Sequence, residues 1–246
     1  MVLRSTDTPP ETGATDGSER ERIRRVYDGY ASSSKHRRIW ADTPASRFLL
    51  DAKWARIAAL LQEAQFDPGA GVCLDIGAGG GDDCSRITGL AVPDDGIVGM
   101  DLLVPRLMQS RRAYPWLRVL QGDARHLPFR EESLSLVYQS TMLSSVLDAS
   151  LRRSVFGEIG RVIRPGGFFL SFDTRYPNPW NPHTRPVRVA ELRAAFTGWR
   201  LWIRSANGIP QLIRLLAPVS LALCRAVESL PVLRSHLLVL TRKPEA

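Results

Sequence analysis

The run LDIGAGGGDD, with four glycines between Gly77 and Gly81, is the part of the chain best suited to hold a ligand. A glycine-rich turn between a strand and a helix brings backbone N–H groups close to a bound molecule, because glycine has no side chain. Asp75 precedes this turn, and Asp82 and Asp83 follow it. Three carboxylates would repel the pyrophosphate of a dinucleotide. The loop therefore favours a ligand with a cationic amino group.

Two phosphate-binding motifs are excluded by the spacing of the same residues. Nicotinamide and flavin folds use GxGxxG, and Asp82 stands where the third glycine of that motif should fall. A P-loop requires GK[ST] after its glycines, and no such sequence follows Gly81.

Further motifs follow the glycine loop in order: GIVGMD, which ends at Asp101, QGDARHLPF, which contains Asp123, SLVYQST, and EIGRVIRPGGFFLSFD. Together with LDIGAGGG they resemble the class I S-adenosylmethionine-dependent methyltransferases, whose first motif has the form [DE]xGxGxG. The resemblance covers roughly residues 70–175. Several motifs in the expected order are far more specific than one glycine loop.

The resemblance implies S-adenosyl-L-methionine as the cofactor. It assigns both ribose hydroxyls to Asp101, the adenine amino group to Asp123, and a backbone N–H contact to Ala124. A carboxylate suits the ribose because it can accept two hydrogen bonds from vicinal hydroxyls. The full set of expected cofactor-binding residues is Asp75, Gly77, Ala78, Gly79, Gly81, Asp101, Leu102, Asp123, Ala124 and Gln139.

The methyl acceptor is expected between two segments, SFDTRYPNPWNPHTRP after the fifth strand and the N-terminal YDGYASSSKHRRIW. Carboxylate or imidazole groups could take a proton from the acceptor, arginines could hold an anionic group, and aromatic rings could stack on it. The candidate catalytic residues are Asp173, Tyr176 and His183, and the candidate acceptor-binding residues are Tyr27, Tyr30, Arg38, Arg175, Trp180 and Arg185.

The resemblance also narrows the acceptor class. The residues QSTM, 139–142, replace the [DNS]PP[YF] motif of amino-methylating enzymes of nucleic acids, and no Pro-Cys nucleophile is present. Gln139 stands where metal-dependent catechol-type enzymes place an acid. We therefore expect metal-independent, in-line methyl transfer to a small molecule, at a hydroxyl of a sugar, natural product or lipid-linked intermediate. The alternatives are a non-catalytic S-adenosylmethionine-binding regulatory subunit and an RNA methyltransferase.

The elements that must position these residues alternate along the chain. Short apolar runs predict buried strands at 72–76, 96–101, 117–120, 134–138 and 167–172, and helical segments lie between most of them, at 82–90, 104–113 and 150–163. Such alternation predicts an α/β fold with a doubly wound, mostly parallel sheet covered by helices on both faces. The resemblance implies that this sheet has seven strands, the last of them antiparallel.

The two ends of the chain do not follow this regular alternation of strands and helices. We expect a disordered tail at 1–17, an N-terminal helical lid at 18–65, and a methyltransferase domain at 66–246. We also expect a helix at 187–196. Two further strands, at 197–206 and 236–243, should complete the sheet. Between those strands, 209–230 is a strongly apolar helical stretch broken at Pro218, suited to an interfacial helix, a lipid-acceptor pocket, core packing or a dimer contact.

Composition restricts the partners only loosely. The 246 residues carry a formal net charge of +8, almost all of it from arginine spread along the chain. Such a surface could attract nucleic acid, an acidic substrate or an anionic membrane, and the motifs disfavour nucleic acid. Three scattered cysteines predict a reduced, cytoplasmic protein without structural zinc. We expect a monomer or homodimer, with an anionic or lipid-linked acceptor and peripheral membrane contact as options.

Overall fold

The apolar runs form one sheet in the computed structural model, which describes residues 14–34, 41–67, 71–90, 92–179 and 181–245. The strands are β1 Val72–Ile76, β2 Ile97–Asp101, β3 Arg118–Gln121, β4 Leu134–Ser140, β5 Ile163–Thr174, β6 Arg200–Gly208 and β7 Arg234–Arg242. These seven strands lie in the order β3-β2-β1-β4-β5-β7-β6. β7 is antiparallel to both of its neighbours, β5 and β6. The predicted doubly wound, mostly parallel sheet with an antiparallel last strand is confirmed.

Helices cover both faces of the sheet. They are α1 Ala14–Ser32, α2 Pro44–Glu63, α3 Asp82–Leu90, α4 Val104–Ala113, α5 Ala149–Val162, α6 Val189–Ala195, α7 Pro210–Leu216 and α8 Leu221–Ser229. On one face Ile57 and Leu60 of α2 pack with Leu170 of β5. On the other face, Ile159 of α5 packs with Phe169. Burial of this apolar surface is the main favourable contribution to folding.

The winding of the sheet reverses at β1. This strand pairs in parallel with β2 on one side and with β4 on the other. The loops that follow β1 and β4 consequently diverge and leave a crevice at the carboxyl ends of the strands, which is where ligands bind in open α/β sheets. The glycine loop leaves β1 directly into this crevice.

β5 begins earlier than expected. The strand was predicted at 167–172, but residues 163–166 also lie inside it. Leu134 pairs with Ile163 and Leu136 with Phe168, so the longer β5 segment bulges between these pairs. A Cβ on Gly167 would lie 2.9 Å from the Arg164 carbonyl oxygen, which explains why the bulge requires glycine there.

The N-terminal segments serve two separate purposes. Helix α1 starts at Ala14, so residues 14–17 of the predicted tail are helical, and residues 1–13 of that tail lie outside the described residues. The predicted lid, 18–65, is divided: α1 covers the crevice, whereas α2 is part of the core of the fold. Thr43 and Ser46 form a capping box that fixes the start of α2.

The apolar C-terminal stretch forms two short helices on either side of Pro218, as predicted. Their inner faces pack on α2, where Ile213 and Cys224 meet Ala45. Within the described part of the chain, no helix combines the length and apolar character needed to cross a bilayer.

A buried arginine holds together two loops at the carboxyl ends of the central strands β4 and β5. The Arg152 side chain on α5 is 1% exposed and donates to the carbonyl oxygen of Val146 at 2.7 Å and to that of Arg185 at 3.2 Å. It also forms an ion pair with Glu191 at 3.2 Å. Arg152 thereby joins the loop after β4 to the loop after β5.

We expect Arg152→Met to lower the free energy of unfolding by about 3–5 kcal/mol, because it leaves buried acceptors without a donor. Urea denaturation followed by circular dichroism measures this change. Arg153→Met, on the exposed side of the same helix, is the matched control and should stay within about 0.5 kcal/mol of the parent. Equal stability of the two variants would show that Arg152 is not a structural tie.

Candidate active site

A cavity of about 320 Å³ lies in the crevice at the carboxyl ends of β1, β2, β4 and β5. One end is lined by residues that follow β2 and β3, namely Asp101–Leu103 and Gly122–Arg125. The other end is lined by residues that follow β4 and β5, including Ser140–Met142, Thr174, Asn178 and Asn181. Helix α1 closes the top. The cavity therefore joins the motif residues to the predicted acceptor segments.

The glycine loop forms the floor of the cavity. Gly77, Gly79 and Gly81 have φ angles of +81°, +54° and +87°, in the left-handed region that favours glycine. A Cβ on Gly77 would lie 2.7 Å from the Met142 side chain, and one on Gly79 would collide with the Arg106 guanidinium. Gly77 lines the cavity, whereas Ala78, Gly79 and Gly81 form the turn behind it.

Asp101 holds the glycine loop against the end of β2. Its Oδ2 accepts the Gly79 N–H and its Oδ1 accepts the Leu103 N–H, both at 2.9 Å. Each carboxylate oxygen has two lone pairs, so each can accept one further hydrogen bond. Because Asp101 and Leu102 both line the cavity, that capacity is directed at a ligand.

Asp123 lines the cavity beside Ala124 but already has partners. Its Oδ1 accepts the backbone N–H and the Nε–H of Arg125 at 2.9 and 2.8 Å. Its Oδ2 lies 2.5 Å from Arg125 Nη2 and 2.8 Å from Arg20 Nε. An adenine amino group would therefore have to compete for this carboxylate with the half-exposed Arg20 of α1.

Asp75 lies beneath the loop and does not line the cavity. It is 1% exposed and accepts a hydrogen bond from Cys84 Sγ at 3.3 Å. Burial, together with the nearby Asp83 carboxylate, raises the pKa of Asp75 to about 8. Asp75 thus supports the loop from inside the protein.

Gln139 also lies outside the cavity lining. It is fully buried, its Nε2 donates to Ser171 Oγ at 2.6 Å, and its Oε1 accepts the Met142 N–H at 3.0 Å. These contacts hold the turn after β4 in place. The next residue, Ser140, lines the cavity instead.

Of the candidate catalytic residues, the structure brings only His183 to the cavity. Asp173 is buried, where its carboxylate accepts the N–H groups of Ser144 at 3.1 Å and Thr174 at 2.7 Å. Burial raises the pKa of Asp173, and its carboxylate fixes the two loops. Tyr176 is 43% exposed and lies outside the lining.

The candidate acceptor-binding residues divide in the same way. Tyr27 and Tyr30 of α1 line the cavity. The Arg175 guanidinium stacks on the Tyr176 ring at 4.9 Å outside it, and Arg185 forms an ion pair with Glu191 at 2.9 Å. Arg38 and Trp180 lie outside the described residues.

Contacts along its length hold α1 over the cavity. The Glu19 carboxylate accepts the Leu147 N–H at 3.0 Å, and Arg22 donates to the Ser145 carbonyl. The Arg106 guanidinium stacks on the Tyr27 ring at 4.9 Å. Near the end of α1, the Tyr30 hydroxyl and the Asn181 side chain exchange hydrogen bonds at 3.0–3.2 Å.

Lys53 is a residue near the site that the sequence analysis missed. Its ammonium group lies 2.6 Å from Asp83 Oδ2 and 3.0 Å from Ser140 Oγ, and it is 7% exposed. Tyr138 donates to the same Asp83 oxygen at 2.9 Å. Burial and the Lys53 charge lower the pKa of His236 to about 4. The one indication in the sequence was that Lys53 stands among the regularly spaced apolar residues of α2, where a charged side chain is unusual.

Known proteins of similar sequence and fold help to interpret this cavity. Residues 74–171 match the sequence profile of a family described as "Methyltransferase domain". This match covers about two fifths of the chain and identifies residues 74–171 as a methyltransferase domain. The solved structure of an S-adenosylmethionine-dependent methyltransferase from Mesorhizobium loti superposes with a TM-score of 0.56, covering 78% of this chain and 98% of that one at 19% identity. At that identity it supports the fold alone.

Two curated methyltransferases are similar in sequence. A tRNA (carboxymethyluridine(34)-5-O)-methyltransferase from Arabidopsis thaliana is 29% identical over 69% of this chain and 38% of its own length. A demethylmenaquinone methyltransferase from Roseiflexus sp. (strain RS-1) is 32% identical over 52% of each chain. The chain therefore spans about half or less of the length of these two relatives.

The residues of the cavity fit S-adenosylmethionine. Gly77 leaves the floor open where any Cβ would strike Met142, and Asp101 retains acceptor capacity for ribose hydroxyls. Asp123 and Ala124 stand where the adenine of the cofactor is expected. When bound, S-adenosylmethionine supplies a methyl group activated by a positively charged sulfonium. The methyltransferase domain itself has to hold the cofactor and orient the acceptor.

We expect Asp101→Ala to weaken S-adenosylmethionine binding by about 10- to 100-fold, the range for losing hydrogen bonds to a charged group. Titration calorimetry with S-adenosylmethionine and with its demethylated product measures the loss. Asp95→Ala, at an exposed turn before β2, is the matched control. Unchanged affinity in a folded Asp101→Ala protein would remove Asp101 from the cofactor site.

Asp75 should make stability depend on pH. Its pKa is about 8 in the folded protein but about 3.9 in an unfolded chain, so the folded state holds this proton more tightly. The contribution of Asp75 to stability is therefore fully present below about pH 4 and is lost as pH rises towards about 8, by roughly 1.4 kcal/mol per pH unit.

Asp75→Asn removes this titration. Urea unfolding should show that the variant gains about 2–3 kcal/mol relative to the parent protein between about pH 6 and about pH 8. Asp95→Asn serves as the control. A constant stability difference across this window would mean that Asp75 does not retain its proton in the fold.

Proposed function

We propose that the protein transfers the methyl group of S-adenosylmethionine to a hydroxyl of a small molecule, by in-line displacement and without a metal ion. The supporting observation is the chemistry of the cavity between α1 and the loops after β4 and β5. Its lining there is rich in neutral hydrogen-bonding side chains, namely Tyr27, Tyr30, Ser144, Ser145, Asn178, Asn181 and Thr184. Such groups can bind and orient a hydroxylated acceptor.

His183 is the proposed proton acceptor. It lines the same end of the cavity and remains exposed to solvent, to which it can pass the proton. Its backbone N–H donates to Asn181 Oδ1 at 3.1 Å, and Asn181 is in turn bonded to Tyr30 on α1. A hydroxyl becomes a strong nucleophile only as it loses its proton, and an imidazole is well suited to take it near neutral pH.

The remaining catalytic contribution is proposed to be positioning. The methyl group is already activated in the cofactor, so alignment of the acceptor oxygen with it can supply much of the rate enhancement. Helix α1 serves this purpose because its contacts to Ser145 and Asn181 close the cavity above the acceptor. Closure also excludes water that would otherwise solvate the nucleophile.

The acceptor classes in this proposal are sugars, natural products and lipid-linked intermediates. The name of the Roseiflexus relative supports a quinone-like ring as a further member of the group. A tRNA acceptor is the second candidate. It is favoured by the Arabidopsis relative, whose alignment extends over 69% of this chain, and by the net charge of +8.

We expect His183→Asn to lower kcat by about 10²- to 10⁴-fold with a hydroxyl acceptor, the usual contribution of a general base. S-adenosylmethionine affinity should not change, since His183 lies at the acceptor end of the cavity. Transfer of a labelled methyl group to phenols, glycosides and hydroquinones provides the measurement. His126→Asn, an exposed histidine that does not line the cavity, is the control.

The same assay separates the alternatives. Transfer to tRNA that carries carboxymethyluridine, with none to the small molecules, would replace the first proposal with the second. Tight S-adenosylmethionine binding without transfer to any acceptor would favour a non-catalytic regulatory subunit. Equal rates for His183→Asn and the parent protein would assign the base to another residue.

A further inference from the structure

The connection between β6 and β7 exposes an unusual amount of apolar surface. The structure describes eleven large hydrophobic side chains as exposed, and six of them fall within residues 215–232. These six are Leu215, Val219, Leu221, Leu223, Leu230 and Val232, and we call them the apolar face. Val219 is 78% exposed, and Leu215 and Val232 are each 71% exposed. Soluble proteins rarely present so many aliphatic side chains together unless they bind something.

The apolar face is the outer side of a firmly packed unit. The inner sides of α7 and α8 are buried on α2 through Ile213, Ala217 and Cys224. Leu233, the last residue of the turn Pro231–Leu233, packs against the same cluster. The inner side chains of this segment therefore already pack into the core, and the six exposed side chains contribute nothing to that packing.

Within residues 209–233 the charged side chains that reach solvent are arginines. Glu228 is the sole acidic residue between 209 and 233; it is 9% exposed and paired with Arg56 at 2.8 Å. Arg225 is exposed on α8, and no carboxylate among the described residues lies within ion-pair distance of it. Arg175 adds a further exposed guanidinium, which donates to the Pro231 carbonyl oxygen at 3.1 Å. Aliphatic side chains bordered by arginine match the boundary between lipid tails and anionic headgroups.

We propose that the apolar face binds the surface of an anionic lipid bilayer. Charge distinguishes this occupant from a second copy of the chain. A two-fold contact between apolar faces would bring the Arg225 side chains together without an exposed carboxylate from the segment to compensate them. A bilayer containing anionic lipid instead attracts every arginine around the face.

The topology places the apolar face beside the active site. The connection leaves the end of β6 at Gly208 and enters β7 at Arg234, and these two residues are paired. Thr174, which ends β5 and lines the cavity, pairs with His236 near the same end of β7. A bilayer on the apolar face would therefore lie next to the carboxyl ends of the parallel strands, where the cavity is found. The proposal does not depend on the identity of the acceptor.

Vesicle flotation with the full chain tests the proposal, with vesicles of phosphatidylcholine alone and of phosphatidylcholine mixed with phosphatidylglycerol. We expect binding to the mixed vesicles and a loss of at least about tenfold in partitioning for the combined variant Leu215→Ser, Val219→Ser, Val232→Ser. Arg225→Ala should lower partitioning to the mixed vesicles by about fivefold, with little effect on the neutral ones.

The matched control removes exposed apolar side chains elsewhere. Leu90→Ser with Met108→Ser changes residues on α3 and α4 that are 43% and 46% exposed and should bind vesicles like the parent protein. Equal binding by the parent and the triple variant would overturn the proposal. So would concentration-dependent dimerisation, seen by light scattering without vesicle binding and abolished in the triple variant, which would assign the face to a second copy.

Discussion

The Asp101 carboxylate is the interaction on which the geometry of the site depends. By accepting the N–H groups of Gly79 and Leu103, it fixes the loop after β1 to the loop after β2. The loop in turn needs glycine wherever the backbone takes a positive φ close to the side chains of Met142 and Arg106. One buried carboxylate therefore sets the floor of the cavity and keeps its remaining lone pairs available for a ligand. The cofactor site is formed in advance by the fold.

Buried charge below that floor explains why α2 is inseparable from the domain. Asp75 is buried and lies close to the partly buried Asp83, and two neighbouring carboxylates disfavour each other's ionisation. Lys53 of α2 pairs with Asp83, and the pKa of Asp75 is raised to about 8. Arg20 of α1 reaches Asp123 in the same manner. Both cations come from outside residues 74–171. Asp123 also has Arg125 from within that segment, whereas Asp83 pairs with Lys53, so α2 supplies a charge that the matched segment does not provide.

The sequence was sufficient for those features that depend on local pattern. Strands β1 to β4 and the glycine loop followed from apolar runs and glycine spacing, and Asp101 was implied by the resemblance of its motif to a known family. The roles of Gln139 and Asp173 were not accessible in this way, because their partners, Ser171 and the Ser144 N–H, lie across the sheet or in another loop. Arg185 was expected to bind the acceptor, but it forms an ion pair with Glu191. Whether a polar side chain faces a cavity or stabilises a loop is decided by tertiary contacts.

The loop after β5 connects the cavity with the apolar face. Thr174 and Asn178 line the cavity, whereas Arg175 between them points away and bonds to the turn at Pro231. The backbone N–H of Arg175 also donates to the Ser235 carbonyl oxygen at 2.9 Å. These two hydrogen bonds connect the loop after β5 with the turn at Pro231 and the start of β7. The same loop leads to Asn181 and His183, and Asn181 carries the hydrogen bonds to Tyr30 of α1. The segment after β5 is thus in contact both with the turn that carries Val232 of the apolar face and with the helix that covers the cavity, which makes it the place where these two regions of the molecule meet.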